Sequence, residues 1–445
     1  MQKQKTLAKW LAIILLCSVA VGSYVLYDAL YLKKQDNEAS ADNGQGNQVL
    51  APEIDAPVVE EHIPYYTTLP RESETIDNLI VTHFGGEDDD ILHDVINFGK
   101  KRYAIFSSNS VEFDMRKKGL SLAIIEDGVE RVTTLSDKDT YIDGKASSNG
   151  VAILTKNEEL CTLYFVNNLG EKTAEIHLEA FVDGMLYLSG QNLLLFTISK
   201  GYLGCQRITD SLNVDKSPFV IKTDGAKIVE AFDIQSGQGL ILGDDKSTSI
   251  YTFDQNKGFK HHFQEDKLSF KQIITAGTAN DCNYIIYGLL GDKPWLYAFN
   301  TDFQMLSAKQ IDTIGDGVIL PHSDGLIFIG NGVTKSYCKH LDEVLSQPNN
   351  LSFLKSTFFT FSDGAIMSAI EDGFGSTTLL YADGEIILTK PLEYNGEIVG
   401  IQGNFKSFSI LISTSSTTDI FRASFGKIDP FIIDLDLSFF AESKG

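Results

Sequence analysis

A strongly apolar run rich in β-branched and aromatic residues recurs eight times along this chain. The copies are Tyr103-Ala-Ile-Phe106, Val151-Ala-Ile-Leu154, Leu193-Leu-Leu-Phe196, Leu240-Ile-Leu242, Tyr284-Ile-Ile-Tyr287, Leu326-Ile-Phe-Ile329, Ala365-Ile-Met367 and Ser409-Ile-Leu-Ile412. Their starts lie 48, 42, 47, 44, 42, 39 and 44 residues apart. A period of that length is the size of one four-stranded antiparallel unit, a single blade of a β-propeller. The runs lack a polar/apolar alternation, so both faces of each strand must be covered, and stacking blade on blade does that.

The surroundings of each copy repeat too. A polar turn usually precedes it, as at Phe98-Gly99-Lys100, Ser148-Asn149-Gly150 and Ser323-Asp324-Gly325. An amphipathic partner strand follows and ends in a tight turn, as at Leu163-Tyr-Phe165 before Asn167-Asn168, or Trp295-Leu-Tyr-Ala-Phe299 before Asn300-Thr-Asp302. No distinct polar cap marks either end, so a closed ring fits better than an open solenoid. The expected fold is all-β, a propeller of eight four-stranded blades over residues 77–445, with seven as the alternative. Either Leu79–Phe84 or Phe431–Ile433 is placed to complete the last blade, and the sequence leaves that choice open.

Ahead of the repeats, Trp10 to Tyr27 is 18 residues without a charge, and extension to Leu32 makes 23. That length spans a bilayer core of ~30 Å as a helix. We expect a cytoplasmic tail over 1–9, an uncleaved transmembrane signal anchor over 10–32 and an extracytoplasmic remainder, with a cleaved signal peptide as the alternative. Residues 33–76 carry nine acids against three bases and four prolines, which reads as a flexible tether. The whole chain has 37 basic and 60 acidic side chains, net −23. Nucleic acid is excluded as a partner on that balance.

Phe84-Gly85-Gly86-Glu87-Asp88-Asp89, followed by a strand, resembles the W-G-G-x-x-D-D turn of bacterial exported and surface β-propeller repeats. The match covers about one blade, with Phe for Trp and a charged hairpin, Gly99-Lys100-Lys101-Arg102, in place of glycines. The resemblance implies a surface-attached interaction module and is silent on the ligand.

No motif for chemistry stands out. There is no Gly-x-Ser-x-Gly elbow, no Walker loop and no Cys-x-x-Cys. Cys161, Cys205 and Cys338 fall in equivalent third strands of different blades, too far apart for disulfides, and Cys282 sits at the start of a central strand; buried free thiols are expected. The eight histidines read as surface residues, with His261 and His262 on opposite strand faces. Glu87 to Asp90 is a solvated acidic turn or, less simply, a calcium ligand set. Asp137, Asp139 and Asp143 resemble a damaged calcium loop with Tyr141 in a ligand position. We expect no catalytic residue, cofactor or resident metal. The function expected is a membrane-anchored, non-catalytic scaffold of the bacterial envelope that binds a protein, peptide or polymer. The alternatives are an envelope hydrolase or lyase acting on glycan or peptide, and a sensor working through a membrane partner.

Overall fold

The computed structural model describes residues 74–440 apart from 77–78, 84–88, 110–118, 127, 159, 191, 210–211, 224, 236, 245–246, 276–282, 323–324, 339, 362–363, 373–375, 384–385, 393–396, 405–406 and 415–428. The chain divides into two compact units, residues 1–63 and 64–445, and the described residues belong to the second. The expected anchor at 10–32 therefore lies outside the described residues. Among those described, no helix is long and apolar enough to cross a membrane.

Eight antiparallel sheets make up the fold, and seven of them use four consecutive strands in chain order. The eight apolar runs mark the second strands, from Lys101–Ser108 in blade 1 to Ser407–Thr414 in blade 8. The expected eight blades are observed, not the seven of the alternative. Tyr103 to Phe106 and Val151 to Leu154 are wholly buried, as strands sandwiched between neighbouring sheets must be. The cores accordingly lie in the seams: Ile105 and Leu122 of blade 1 pack with Val151 and Ile153 of blade 2, and the pattern repeats around the ring. Phe359 and Phe361 join the seam between blades 7 and 8 while Phe358 packs on the seam behind it.

Both expected closing segments take part in the last blade. Its order is Glu74–Ile76, Leu79–His83, Asp429–Asp436, Ser407–Thr414, Glu397–Asn404. The C-terminal segment supplies the third strand and the N-terminal one the fourth, with a short fifth strand outside it. Glu74–Ile76 falls within the stretch read as tether. Val81 pairs with Ile433, and Leu79 and Val81 bury their side chains beside Ile410 and Leu379. Leu411 and Ile432 meet Val95 and Phe106 on the other side, so blade 8 is packed against blade 1 and the ring is shut.

The first strand of every blade is the innermost. These strands run Asp90–Phe98, Thr140–Ser147, Asp183–Ser189, Lys227–Ile234, Leu268–Thr275, Gly317–His322, Lys355–Thr360 and Glu397–Asn404. Most neighbouring pairs of them approach each other around the axis. Polar side chains tie them together across the seams. Asp143 accepts a hydrogen bond from the Leu186 amide at 2.7 Å, and Asp183 one from the Ile228 amide at 2.6 Å. Gln272 both donates to the Ile319 carbonyl at 2.7 Å and accepts from its amide at 2.8 Å. Gln402 donates to the Val95 carbonyl across the closure. Each bond satisfies a backbone group that the twist of separate sheets leaves without a ladder partner.

Candidate functional site

Five inner strands carry a β-bulge two or three residues in. The extra residue is His93 in blade 1, Ile142 in blade 2, Val229 in blade 4, Lys271 in blade 5 and Val399 in blade 8. A bulge adds a residue and re-aims the side chains beyond it. Directly after the bulge stand Asp94, Asp143, Glu230, Gln272 and Gly400. Gln272 is consumed in its seam contact. Asp143 makes a like contact with the Leu186 amide, and all three acids feel the charge of Lys145.

The Tyr141 hydroxyl donates to Asp94 Oδ2 at 2.6 Å, joining blades 1 and 2. Asp94 Oδ1 accepts from the Val95 amide at 2.7 Å. Lys145 Nζ lies 3.3 Å from Asp143 Oδ1, two residues along the same strand. Its charge also acts on Asp94 and on Glu230. The His93 ring stacks on Tyr141 with centroids 5.6 Å apart, and its Nε2 is 2.6 Å from the Ser107 hydroxyl. Asp94 and Asp143 act on each other as well as on Lys145.

Burial dominates the electrostatics. It pushes the Asp94 carboxyl above its ordinary value, against the Tyr141 hydrogen bond and Lys145, with Asp143 adding repulsion. Burial raises Asp143 and Glu230 as well, Lys145 opposing in both cases. Tyr141 is pushed well up by burial and by its two acidic neighbours, and burial lowers His93, which keeps that imidazole neutral. Water reaches Glu230, yet protein surrounds it closely enough to disfavour its charge.

The arrangement offers an anionic lining able to hold a cationic group, with proton donors and acceptors in reach of one another. It also carries a measurable sign. Raised carboxyl pKa values mean that the folded state binds these protons more tightly than the unfolded chain. Stability from the cluster therefore grows as pH falls from neutral towards the ordinary values of 3.8 and 4.5. Glu230→Gln is expected to raise the melting temperature above pH 7 and to converge on the parent near pH 4.5. Thermal unfolding across that range checks this, and a lower melting temperature at pH 8 contradicts it.

The residues singled out in the sequence fare differently. Glu87 and Asp88 lie outside the described residues; Asp90 is buried, so the simple solvated turn does not hold there. The apparent damaged calcium loop is two separate devices. Asp139 accepts hydrogen bonds from Asn157, Thr155 and Tyr164, each at 2.9 Å, within blade 2. Asp143 and Tyr141 belong to the axis. Among the described residues, no group of three or more His, Cys, Asp or Glu is disposed to hold a metal. His93 and His262 are half-buried rather than surface residues, and His262 is itself the extra residue of a bulge, bonded to Thr252 at 2.9 Å. Cys161, Cys205 and Cys338 are free thiols, the Cys205 thiol pushed up to about 12 by burial; Cys282 lies outside the described residues. The axial cluster was missed because its members sit on three different blades. One signal existed: the pattern apolar-x-acid in Leu92-His93-Asp94, Tyr141-Ile142-Asp143 and Ile228-Val229-Glu230 marks the inner strands.

No protein-family model matches the chain, and no curated protein does. Solved structures are similar to it in fold. The propeller of Dos1 aligns with a TM-score of 0.53 at 11% identity, over 79% of this chain and 95% of that one. The WD40 domain of SCAP from fission yeast gives 0.45 at 8% identity, over 81% and 98%. Virginiamycin B lyase from Staphylococcus aureus, in a catalytically inactive form with quinupristin, gives 0.43 at 11%, over 68% and 97%. The first likeness shows the fold; the other two are too distant to add to it. The chain is an eight-bladed β-propeller.

Proposed function

We propose that this propeller is a docking module held at the outer side of a bacterial membrane, and that its partner is a protein. The observation that carries the reading is a repeated surface feature. At the start of the fourth strand, blades 5, 6 and 7 expose two adjacent apolar side chains: Met305 and Leu306, Val344 and Leu345, Ile386 and Ile387. All six are between 40% and 70% exposed. Scattered single exposures are ordinary, but adjacent exposed pairs near this strand end on three consecutive blades, offset by one residue between blades 5 and 6, make an apolar rim of the kind that partners cover. The net charge of −23 favours a partner whose own rim is basic. The charge-free run from Trp10 to Tyr27 supports the anchor, and the resemblance at Phe84 to Asp89 supports an exported bacterial setting.

A photo-crosslinking residue placed at Val344 in intact cells is expected to yield a discrete protein adduct, and one at Gln255, in the polar turn of blade 4, none. The Val344 adduct is expected to disappear with Leu306→Asp and Leu345→Asp together. No adduct at Val344, or equal adducts at both positions, sinks the reading, and a polydisperse adduct turns it towards an envelope polymer. A chain shortened by its first 34 residues is expected to leave the membrane fraction.

Asp94, bonded to the Tyr141 hydroxyl and raised by the nearby Asp143, favours a second reading, an envelope hydrolase or lyase. Incubation with envelope glycan and peptide fragments, followed by mass spectrometry, tests it. Product formed by the parent and lost in Asp94→Asn would replace the docking reading.

A further inference from the structure

In a four-stranded antiparallel blade the turns after the first and third strands share one end, and the turn after the second lies at the other. The exposed apolar pairs of blades 5, 6 and 7 stand at the former end, where the fourth strands Met305–Gln310, Glu343–Pro348 and Ile387–Leu392 begin. Each pair follows a turn with an exposed aspartate: Asp302 three residues before Met305, Asp342 two before Val344 and Asp383 three before Ile386.

The turns after the first strands of the same blades hold, by sequence, one aspartate each: Asp281, Asp324 and Asp363. These three lie outside the described residues, as do Lys339 and Glu385, and their charge counts wherever the side chains point. The six turns at this end of blades 5 to 7 thus carry seven acids against one base. The corresponding eight turns of blades 1 to 4 carry Glu126, Asp127, Glu171 and Asp210 against Lys100 and Lys257. The acidic excess is therefore concentrated on the three blades that expose the apolar pairs.

Strand addition does not suit this rim. Leu306 is the extra residue of a β-bulge, between Met305 opposite Phe299 and Ser307 opposite Ala298. Val344 is likewise extra, between Glu343 opposite Tyr337 and Leu345 opposite Ser336. A bulge interrupts the ladder and turns an edge away from a would-be neighbouring strand. These strand starts offer a partner side chains rather than backbone, apolar ones bordered by negative charge. A second copy of the chain, a nucleic acid or an anionic lipid surface would each bring like charge against them. The complementary surface is apolar and basic.

We propose that the rim of blades 5 to 7 binds an amphipathic basic segment of a protein partner, whose apolar side chains cover the three exposed pairs while its Lys and Arg face Asp302, Asp342 and Asp383. The inference rests on the docking reading and adds the chemistry of the partner.

Fluorescence anisotropy on the full chain in an uncharged detergent tests it, with a labelled peptide of repeating Leu-Lys-Lys-Leu as probe. The same peptide with Glu for Lys, and oligolysine of equal length, are the controls. The expected result is saturable binding of the leucine-lysine peptide, with oligolysine about tenfold weaker and the glutamate peptide unbound. Asp302→Asn, Asp342→Asn and Asp383→Asn together are expected to weaken the probe about tenfold and to flatten its salt dependence. Glu171→Gln, Asp215→Asn and Asp266→Asn on blades 2 to 4 remove the same charge and are expected to leave binding unchanged. All six positions are exposed, so both variants keep the fold. No binding of the leucine-lysine peptide, equal loss in the two triple variants, or binding of the glutamate peptide overturns the proposal. Oligolysine binding as tightly as the probe overturns its apolar half. A Val344 adduct in cells that survives the three rim substitutions keeps the docking reading and overturns the basic partner. Peptide binding lost only in the rim variant, with no Val344 adduct, strikes the docking reading and leaves the chemistry of the rim.

Discussion

A chain that starts at residue 85 is expected to lose its cooperative unfolding transition and to self-associate, while one that starts at residue 74 unfolds like the parent. The eleven residues between contain the strand Leu79–His83, whose register with Asp429–Asp436 runs from Ile80 opposite Asp434 to His83 opposite Phe431. Removing it exposes the cores around Leu79 and Val81, each only 5% exposed in the fold. Two such side chains are worth about 3–6 kcal/mol together. The strand Asp429–Asp436 would also become a free edge, and an unprotected edge recruits strands from other molecules. Differential scanning calorimetry with sedimentation velocity measures both effects. Equal melting temperatures for the two truncations would mean that blade 8 closes without its N-terminal strand.

Asp139→Ala is expected to destabilise the propeller by about 3–4 kcal/mol at neutral pH, chiefly by stranding its donors. Thr155 is wholly buried and Tyr164 is 4% exposed, so water does not readily replace the lost carboxylate. Burial pushes the Asp139 carboxyl up, but hydrogen bonds from Asn157, Tyr164, Thr155 and Ser136 outweigh it and leave the group below its ordinary value. Its contribution is therefore present above the ordinary 3.8 and is lost as pH falls through the lowered folded value. The axial carboxylates have the opposite sign. Denaturant titrations of Asp139→Ala and Glu230→Gln against the parent should diverge at pH 7, one below and one above it. A loss smaller than about 1 kcal/mol in Asp139→Ala would show that the network rearranges around the gap.

The blades were legible because a strand covered on both faces has to be apolar throughout, and runs such as Tyr103-Ala-Ile-Phe106 then stand out at a fixed period. Closure was legible only as a choice. Both Leu79–Phe84 and Phe431–Ile433 look like strands, and only three-dimensional pairing shows that they lie side by side. The axial cluster was hidden for a different reason. Which residue of an inner strand faces the channel depends on the bulge at His93, Ile142 or Val229, and an extra residue reverses the alternation on which face assignments rest. Asp139 was misread since a calcium loop and a hydrogen-bonded aspartate both call for clustered oxygen atoms at a turn. The donors that decide between them, Thr155 and Tyr164, come from the next two strands.

The placing of Val81 against Ile433 sets the order of events during synthesis. About 350 residues separate the two, so at ribosomal speeds of ~5–20 residues per second the first strand waits tens of seconds for its partner. Seven sheets are assembled from chain already made, while the eighth has neither its inner strands nor a cover for Leu79. Until the last strand arrives the nascent molecule carries one open edge at each end, and its lifetime in that state is set by translation rather than by folding. Whatever shields Leu79–His83 in this interval would then raise the yield, independent of how stable the finished ring is.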